Sequence, residues 1–162
     1  MTPTKPNHAL QRTAPPSLSL GSFVEPSMQK PVIEIDGLAF DTLDGFYDVF
    51  GAAILGGTEY GRNLDAFNDV LRGGFGSPDG GFFLRWKNSD VSRVRLGFKE
   101  TIRFIERKLT TCHPSNIESV RDDLVLARNG KGETLFDIIC GILQDHGDGG
   151  DEPEDGVVLE LA

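Results

Sequence analysis

The chain has 162 residues and a formal net charge of −9, from 25 acidic residues against 16 basic ones. That length allows one ordinary domain with a sizeable core, and the acid excess argues against direct binding to nucleic acid, which needs a positive footprint. No apolar run approaches the ~20 residues of a membrane span, no compact apolar segment marks a secretory signal, and Cys112 and Cys140 form no CxxC or zinc-type spacing with the three histidines.

Residues 1–29 are rich in Pro, Ser and Thr, with neither helix nor strand period, so a disordered leader is expected. A start at Met28 is the alternative. The remainder, residues 30–162, is expected to fold as one domain. PVIEIDGLAF (31–40) reads as a first strand, because Val32, Ile33 and Ile35 are β-branched and Asp36-Gly37 is a turn signal. TLDGFYDVFGAAILGG (42–57) reads as a helix. Leu43, Phe46, Val49, Phe50 and Ala53 fall at helical spacing, Thr42 can cap, and Gly56-Gly57 can end it, though Gly45 and Gly51 weaken the pattern.

EYGRNLDAFNDVLRGG (59–74) predicts a short helix. Asn63 is its N-cap, Leu64, Phe67 and Leu71 form one apolar stripe, and Gly73-Gly74 provide the exit. Asp65 and Asp69 then lie one turn apart, a like-charge pair that costs a few tenths of a kcal/mol. Asp65 sits in the first turn, where the helix dipole favours a carboxylate; Asp69 lies nearer the negative end. Arg62 and Arg72 are the cations available for partial relief. The exposed side of this helix presents Asp65, Asn68, Asp69 and Arg72 as a compact patch, read either as a solvated face or as a binding surface.

GGFFLRWKNSD (80–90) reads as a buried strand carrying Phe82, Phe83, Leu84 and Trp86, with Trp86 in the core. GFKETIRFIERKLTTC (97–112) is expected to be helical, with Ile102, Phe104, Ile105 and Leu109 inward. Residues 113–123 are expected to be a polar loop. DLVLARNGKGE (123–133) fits a strand entering an Asn-Gly turn or a short helix. TLFDIICGILQDHG (134–147) predicts a last helix, with Cys140 in its apolar face. DHGDGGDEPED (145–155) holds six acids and no base, which predicts a solvated loop. GVVLELA (156–162) closes as a strand. Helical crossovers favour parallel pairing, so the expected fold is α/β: a small three-stranded parallel sheet packed with about four helices.

No GxGxxG or GxxxxGK[ST] phosphate loop occurs. His146 beside Asp145 fits a base–orienter pair or a partner for the helix dipole, but no serine or cysteine nucleophile accompanies it. Asp65 and Asp69 are also the candidates if paired carboxylates serve hydrolytic or metal chemistry.

The stretch Tyr60 to Gly73 resembles the signature of the barstar family, small intracellular inhibitors of secreted bacterial ribonucleases. The family pattern is roughly Tyr-Gly-x-Asn-Leu-Asp-Ala-(aromatic or Leu)-x-Asp-x-Leu-x-Gly. Tyr60, Gly61, Asn63, Leu64, Asp65, Ala66, Asp69, Leu71 and Gly73 fit it. The resemblance covers about residues 31–90 and 132–161, leaving 91–131 as a longer segment than a minimal member needs. It implies a three-stranded parallel sheet with helices and a cytoplasmic, bacterial, non-enzymatic inhibitor, immunity protein or antitoxin. No cofactor or metal is implied. The implied partner is a basic ribonuclease or toxin nuclease, met by a monomer without membrane or nucleic acid.

In the family the motif helix and the loop before it enter the ribonuclease active site. The aspartate matching Asp69 takes the place of the substrate phosphate, supported by the one matching Asp65. The implied partner-binding set is Glu59, Asn63, Asp65, Asn68, Asp69, Arg72 and Gly73. The chain departs from barstar itself at three of these: Glu59 replaces a tyrosine, Asn68 a tryptophan and Arg72 a threonine. A further acidic contact from the last helix has no counterpart, since Gly141 falls near its place. The alternatives from other classes are a small metal-dependent hydrolase using Asp65, Asp69 and His146, and an interaction module without inhibitory action.

Overall fold

A computed structural model describes residues 29–162. The leader expected over 1–29 lies outside the described residues except for Gln29. The described chain runs β1 (Val32–Asp36), α1 (Leu43–Leu55), α2 (Leu64–Leu71), β2 (Phe83–Lys87), α3 (Ser89–Arg95), α4 (Phe98–Thr111), α5 (Ile117–Arg128), α6 (Leu135–Asp145) and β3 (Val158–Leu161), with short 3-10 turns between some of them. The strands form one parallel sheet in the order β1-β2-β3. The fold class is therefore the expected α/β sheet, with six helices rather than about four.

Two corrections account for the extra helices. Residues 117–128 are helical, so the expected loop over 113–123 ends at Ile117 and the open choice for 123–133 resolves as helix. Val120, Leu124 and Ala127 pack with Ile105 of α4 in a small second core, which gives α5 its reason to form. The other addition is α3, which starts at Ser89 directly after β2, with its N-cap Asn88 in left-handed conformation at φ of 50°. In α4, Ile105 is buried as expected and Ile102, Phe104 and Leu109 pack half-buried against the same small core, but two polar side chains, Glu100 and Thr101, are buried as well. Both polar side chains have work there: Glu100 accepts from the Leu43 amide at 3.0 Å and Thr101 accepts from the Leu135 amide at 2.9 Å. They tie α4 to the starts of α1 and α6, satisfying amide groups that a helix N-terminus leaves open.

The sheet buries one face. Ile35, Leu84 and Trp86 point inward, and Trp86 is fully buried between Phe46, at 5.5 Å between ring centroids, and Phe136, at 5.2 Å. Its indole N–H donates to Ser92 at 2.9 Å, so the polar edge of the ring is satisfied inside the core. The other face is open and ordered in cross-strand rows. Val32, Phe83 and Val158 form one, and Glu34, Arg85 and Glu160 the next. Arg85 pairs with both acids of its row, at 3.0 and 3.1 Å.

Candidate functional site

The motif helix α2 is only eight residues long, so its position depends on caps and packing rather than intrinsic stability. Asn63 accepts from the Ala66 amide at 2.8 Å, the expected N-cap. Phe67 is fully buried, edge-on to Phe50 at 4.8 Å and to Phe46 at 5.4 Å. Val70 and Leu71 complete the buried stripe, while Leu64 is half-buried. At the far end Gly73 and Gly74 have φ of 92° and 89°, a left-handed pair that turns the chain away from the helix.

The loop before α2 is fixed by Tyr60. Its hydroxyl donates to the Tyr47 carbonyl at 3.1 Å and its ring stands edge-on to that of Tyr47. A Cβ at Gly51 would lie 2.8 Å from the Tyr60 ring, which explains a glycine in the middle of α1. Arg62 pairs with Asp48 at 3.1 Å and bonds the Asp44 carbonyl. It braces the loop on α1 and gives the aspartates of α2 no relief. Asp65 is exposed in the first turn, and among the described residues no cation lies within ion-pair distance of it.

Asp69 is exposed and pairs with Arg72 at 2.9 Å. It shares a cleft of about 250 Å³ with Glu59, Tyr60 and Phe75. Phe75 is 56% exposed, a large apolar ring that the sequence pattern gave no reason to single out. Thus Glu59 and Asp69 line one cleft, Asp65 and Asn63 lie further along the same helix toward its start, and Gly73 shapes the exit.

Asn68 and Arg72 are placed differently from the expected patch. Arg72 reaches across to the segment before β3, where its Nε and Nη2 donate to the Glu152 carboxylate at 2.6 and 2.5 Å. This pairing holds the Glu152 carboxyl below its usual range and raises the arginine. Asn68 is half-buried and meets His146 Nε2 at 2.8 Å. His146 is fully buried, and its Nδ1 lies 2.6 Å from Asp155 and 3.7 Å from Glu152.

Two expectations are corrected here. The acidic stretch 145–155 is not wholly solvated, because Glu152 and Asp155 are half-buried and held by Arg72 and His146. And His146 pairs with Asp155 instead of its neighbour Asp145. Eighty residues of chain separate Arg72 from Glu152, so no local sequence signal could have found the contact.

His146, Glu152 and Asp155 are close enough to share an ion. However, Glu152 is already held at two points by a guanidinium and Asp155 by the imidazole, so the three side chains belong to a hydrogen-bonded network with Arg72 rather than a vacant cage. The hydrogen bonds of His146 reach Asn68 of the motif helix but neither Asp65 nor Asp69. Both its ring nitrogens are occupied, by Asp155 and Asn68, and it has no exposed surface. Cys140 packs in the core, as expected, and both cysteines are free thiols. No described helix is long and apolar enough to cross a membrane.

One protein-family model, described as Barstar (barnase inhibitor), matches residues 30–111. The match runs from β1 through the motif helix and β2 to the end of α4, further than the sequence resemblance reached in this half of the chain. No curated protein and no solved structure matches. The matched segment is 82 of 162 residues, just over half. Together with the parallel sheet and the capped acidic helix, it makes the chain a member of the barstar family.

Proposed function

We propose that this protein is a cytoplasmic, non-catalytic inhibitor or immunity protein that covers the active site of a basic ribonuclease or toxin nuclease with α2. The observation that carries the reading is Asp69, an exposed carboxylate on the rim of a cleft, on a helix fixed by Asn63 and Phe67. A carboxylate there accepts charge-assisted bonds from the arginine, lysine and histidine side chains that hold a substrate phosphate. Asp65, one turn earlier, adds negative potential, and the net charge of −9 speeds encounter with a cationic partner. Glu59, at the position of a further tyrosine in barstar, and Phe75 line the cleft beside Asp69. Arg72, Asn68 and Gly73 set the far edge of the contact surface, and the protein acts as a monomer.

The test is co-expression with barnase, or with a nuclease encoded beside this gene. Rescue of growth by the intact chain and not by Asp69→Ala supports the reading. Equal rescue by both, or none by either with both nucleases, overturns it.

A further inference from the structure

We propose that a second cleft, between α1 and α4, is a binding site for a small organic anion: a phosphate or carboxylate group carried on a flat apolar body. The inference is independent of the inhibitor reading, since this cleft and the one beside Asp69 share no lining residue. Its volume of about 400 Å³ lies within the usual range of small-molecule sites. Leu43, Tyr47 and Phe104 give it an apolar wall, and Arg62, Arg107 and Lys108 stand around the rest. Three cations against one acid, Asp44, make the cleft positive in a chain whose net charge is −9.

Tyr47 points to a ligand independently. The residue is 2% exposed, and its hydroxyl is buried with no hydrogen-bond partner among the described residues. Such orphaned groups are rare in folded proteins, because they lose hydration and gain nothing in return. Side chains on a helix lean toward its N-terminus, which carries this phenol over the preceding turn, where Leu43 and Asp44 lie. Burial first, then Tyr60 and Asp44, raise the phenol above its usual value, against an opposite pull from Arg107. The hydroxyl therefore keeps its proton and can donate to an anionic acceptor.

The wall supplies the charge that an oxyanion needs. Lys108 has no ion-pair partner among the described residues, unlike Arg103 and Arg107 on the same helix. Arg107 pairs with Asp44 at 3.1 Å, but both side chains are 52% exposed, so water can take over Asp44 when the guanidinium turns to a ligand. Arg62 is held by Asp48 and the Asp44 carbonyl and adds positive potential. The Asp44–Arg107 pair joins α1 to α4 at this cleft, and the ligand enters by parting it. The oxyanion then lies between Arg107 and Lys108 with the Tyr47 hydroxyl as a neutral third donor, and the apolar body rests on Phe104 and Leu43.

The experiment is calorimetric titration of the full chain at low salt with adenosine monophosphate, benzoate and inorganic phosphate, with backbone amide NMR shifts mapped on the same samples. The expected result is saturable binding of at least one ring compound, with shifts centred on Asp44, Tyr47, Arg107 and Lys108. The two ring compounds tell a phosphate ligand from a carboxylate, and inorganic phosphate, which lacks the apolar body, should bind more weakly. Lys108→Ala is expected to weaken binding about tenfold. Tyr47→Phe should also weaken it while the melting temperature holds or rises, because the oxygen removed had no partner. The proposal is overturned if neither ring compound binds, if the shifts centre elsewhere, or if inorganic phosphate binds as tightly as they do, which would mean an adventitious ion only. Full affinity in Tyr47→Phe, or a clear fall in its melting temperature, would overturn it too.

Discussion

Arg72 and Glu152 form a two-point ion pair, at 2.5 and 2.6 Å, that ties the end of the motif helix to the acidic segment before the last strand. Arg72 also holds Asp69 at 2.9 Å. The cation nearest the proposed contact carboxylate therefore belongs to this chain. A nuclease docking on Asp69 has to share it with Arg72 or displace that side chain, which makes Arg72 part of the choice of target.

Asp69→Ala is expected to leave melting temperature nearly unchanged, since the side chain is exposed and outside the core. Its effect on a bound nuclease is expected to be large, about 2 kcal/mol or more for a central charged contact. Calorimetric titration against barnase measures it. An affinity equal to that of the unmodified chain would remove Asp69 from the site.

Asn63→Ala removes the cap of α2 and is expected to cost about 1 kcal/mol in urea unfolding. Because so short a helix depends on that cap, binding should weaken along with stability. A variant that loses stability and keeps full affinity would show that the order of α2 is set elsewhere.

Phe67→Ala tests the packing that holds the site in place. The ring is fully buried against Phe46 and Phe50, so the loss is expected near 3–5 kcal/mol. Circular dichroism under denaturant gives the value. A change below about 1 kcal/mol would mean that the site helix is not held by this contact.

The acid limb of the stability curve should involve Asp137. Hydrogen bonds from the Thr134 hydroxyl and then its amide hold this carboxyl below its usual 3.8. A depressed folded value means that the unfolded chain takes the proton more readily. The stabilisation is therefore complete above the usual value and is lost as pH falls through the lower folded one. Asp137→Asn should lower stability at neutral pH and show a smaller drop from neutral pH to about pH 3 than the unmodified chain. Equal drops in both would be the contrary result.

The thiols should react unequally. Burial pushes Cys140 up to about 11, whereas Cys112 is half-buried at the end of α4. A thiol reagent at mild alkaline pH is expected to label Cys112 first and Cys140 only after unfolding. Equal rates in the native protein would contradict the packing of α6.

What the sequence made legible was whatever short-range chemistry decides. Thr42 and Asn63 mark helix starts by their own side chains, and both cap as read. The Tyr60–Gly73 motif located the candidate surface because its residue types are closely spaced. By contrast, α5 was hidden because it is mostly exposed, and its buried Val120, Leu124 and Ala127 are outnumbered by charged neighbours. The Asn68–His146–Asp155 chain could not be read at all. Each member looks ordinary in its own segment, and only tertiary packing brings them within 2.8 Å.

The open face of the sheet has a consequence for which alignment of the strands is allowed. Apolar alternation forbids a one-residue slip, because it would turn every inward side chain out. It cannot detect a slip of two, which keeps each residue on its own face. The row Glu34, Arg85, Glu160 can. Moving β3 by two residues in either direction sets Arg85 opposite Val158 or Ala162 instead of Glu160. A single arginine on the central strand thus serves as an index mark for strand alignment, encoded in charge on the side that the core does not read.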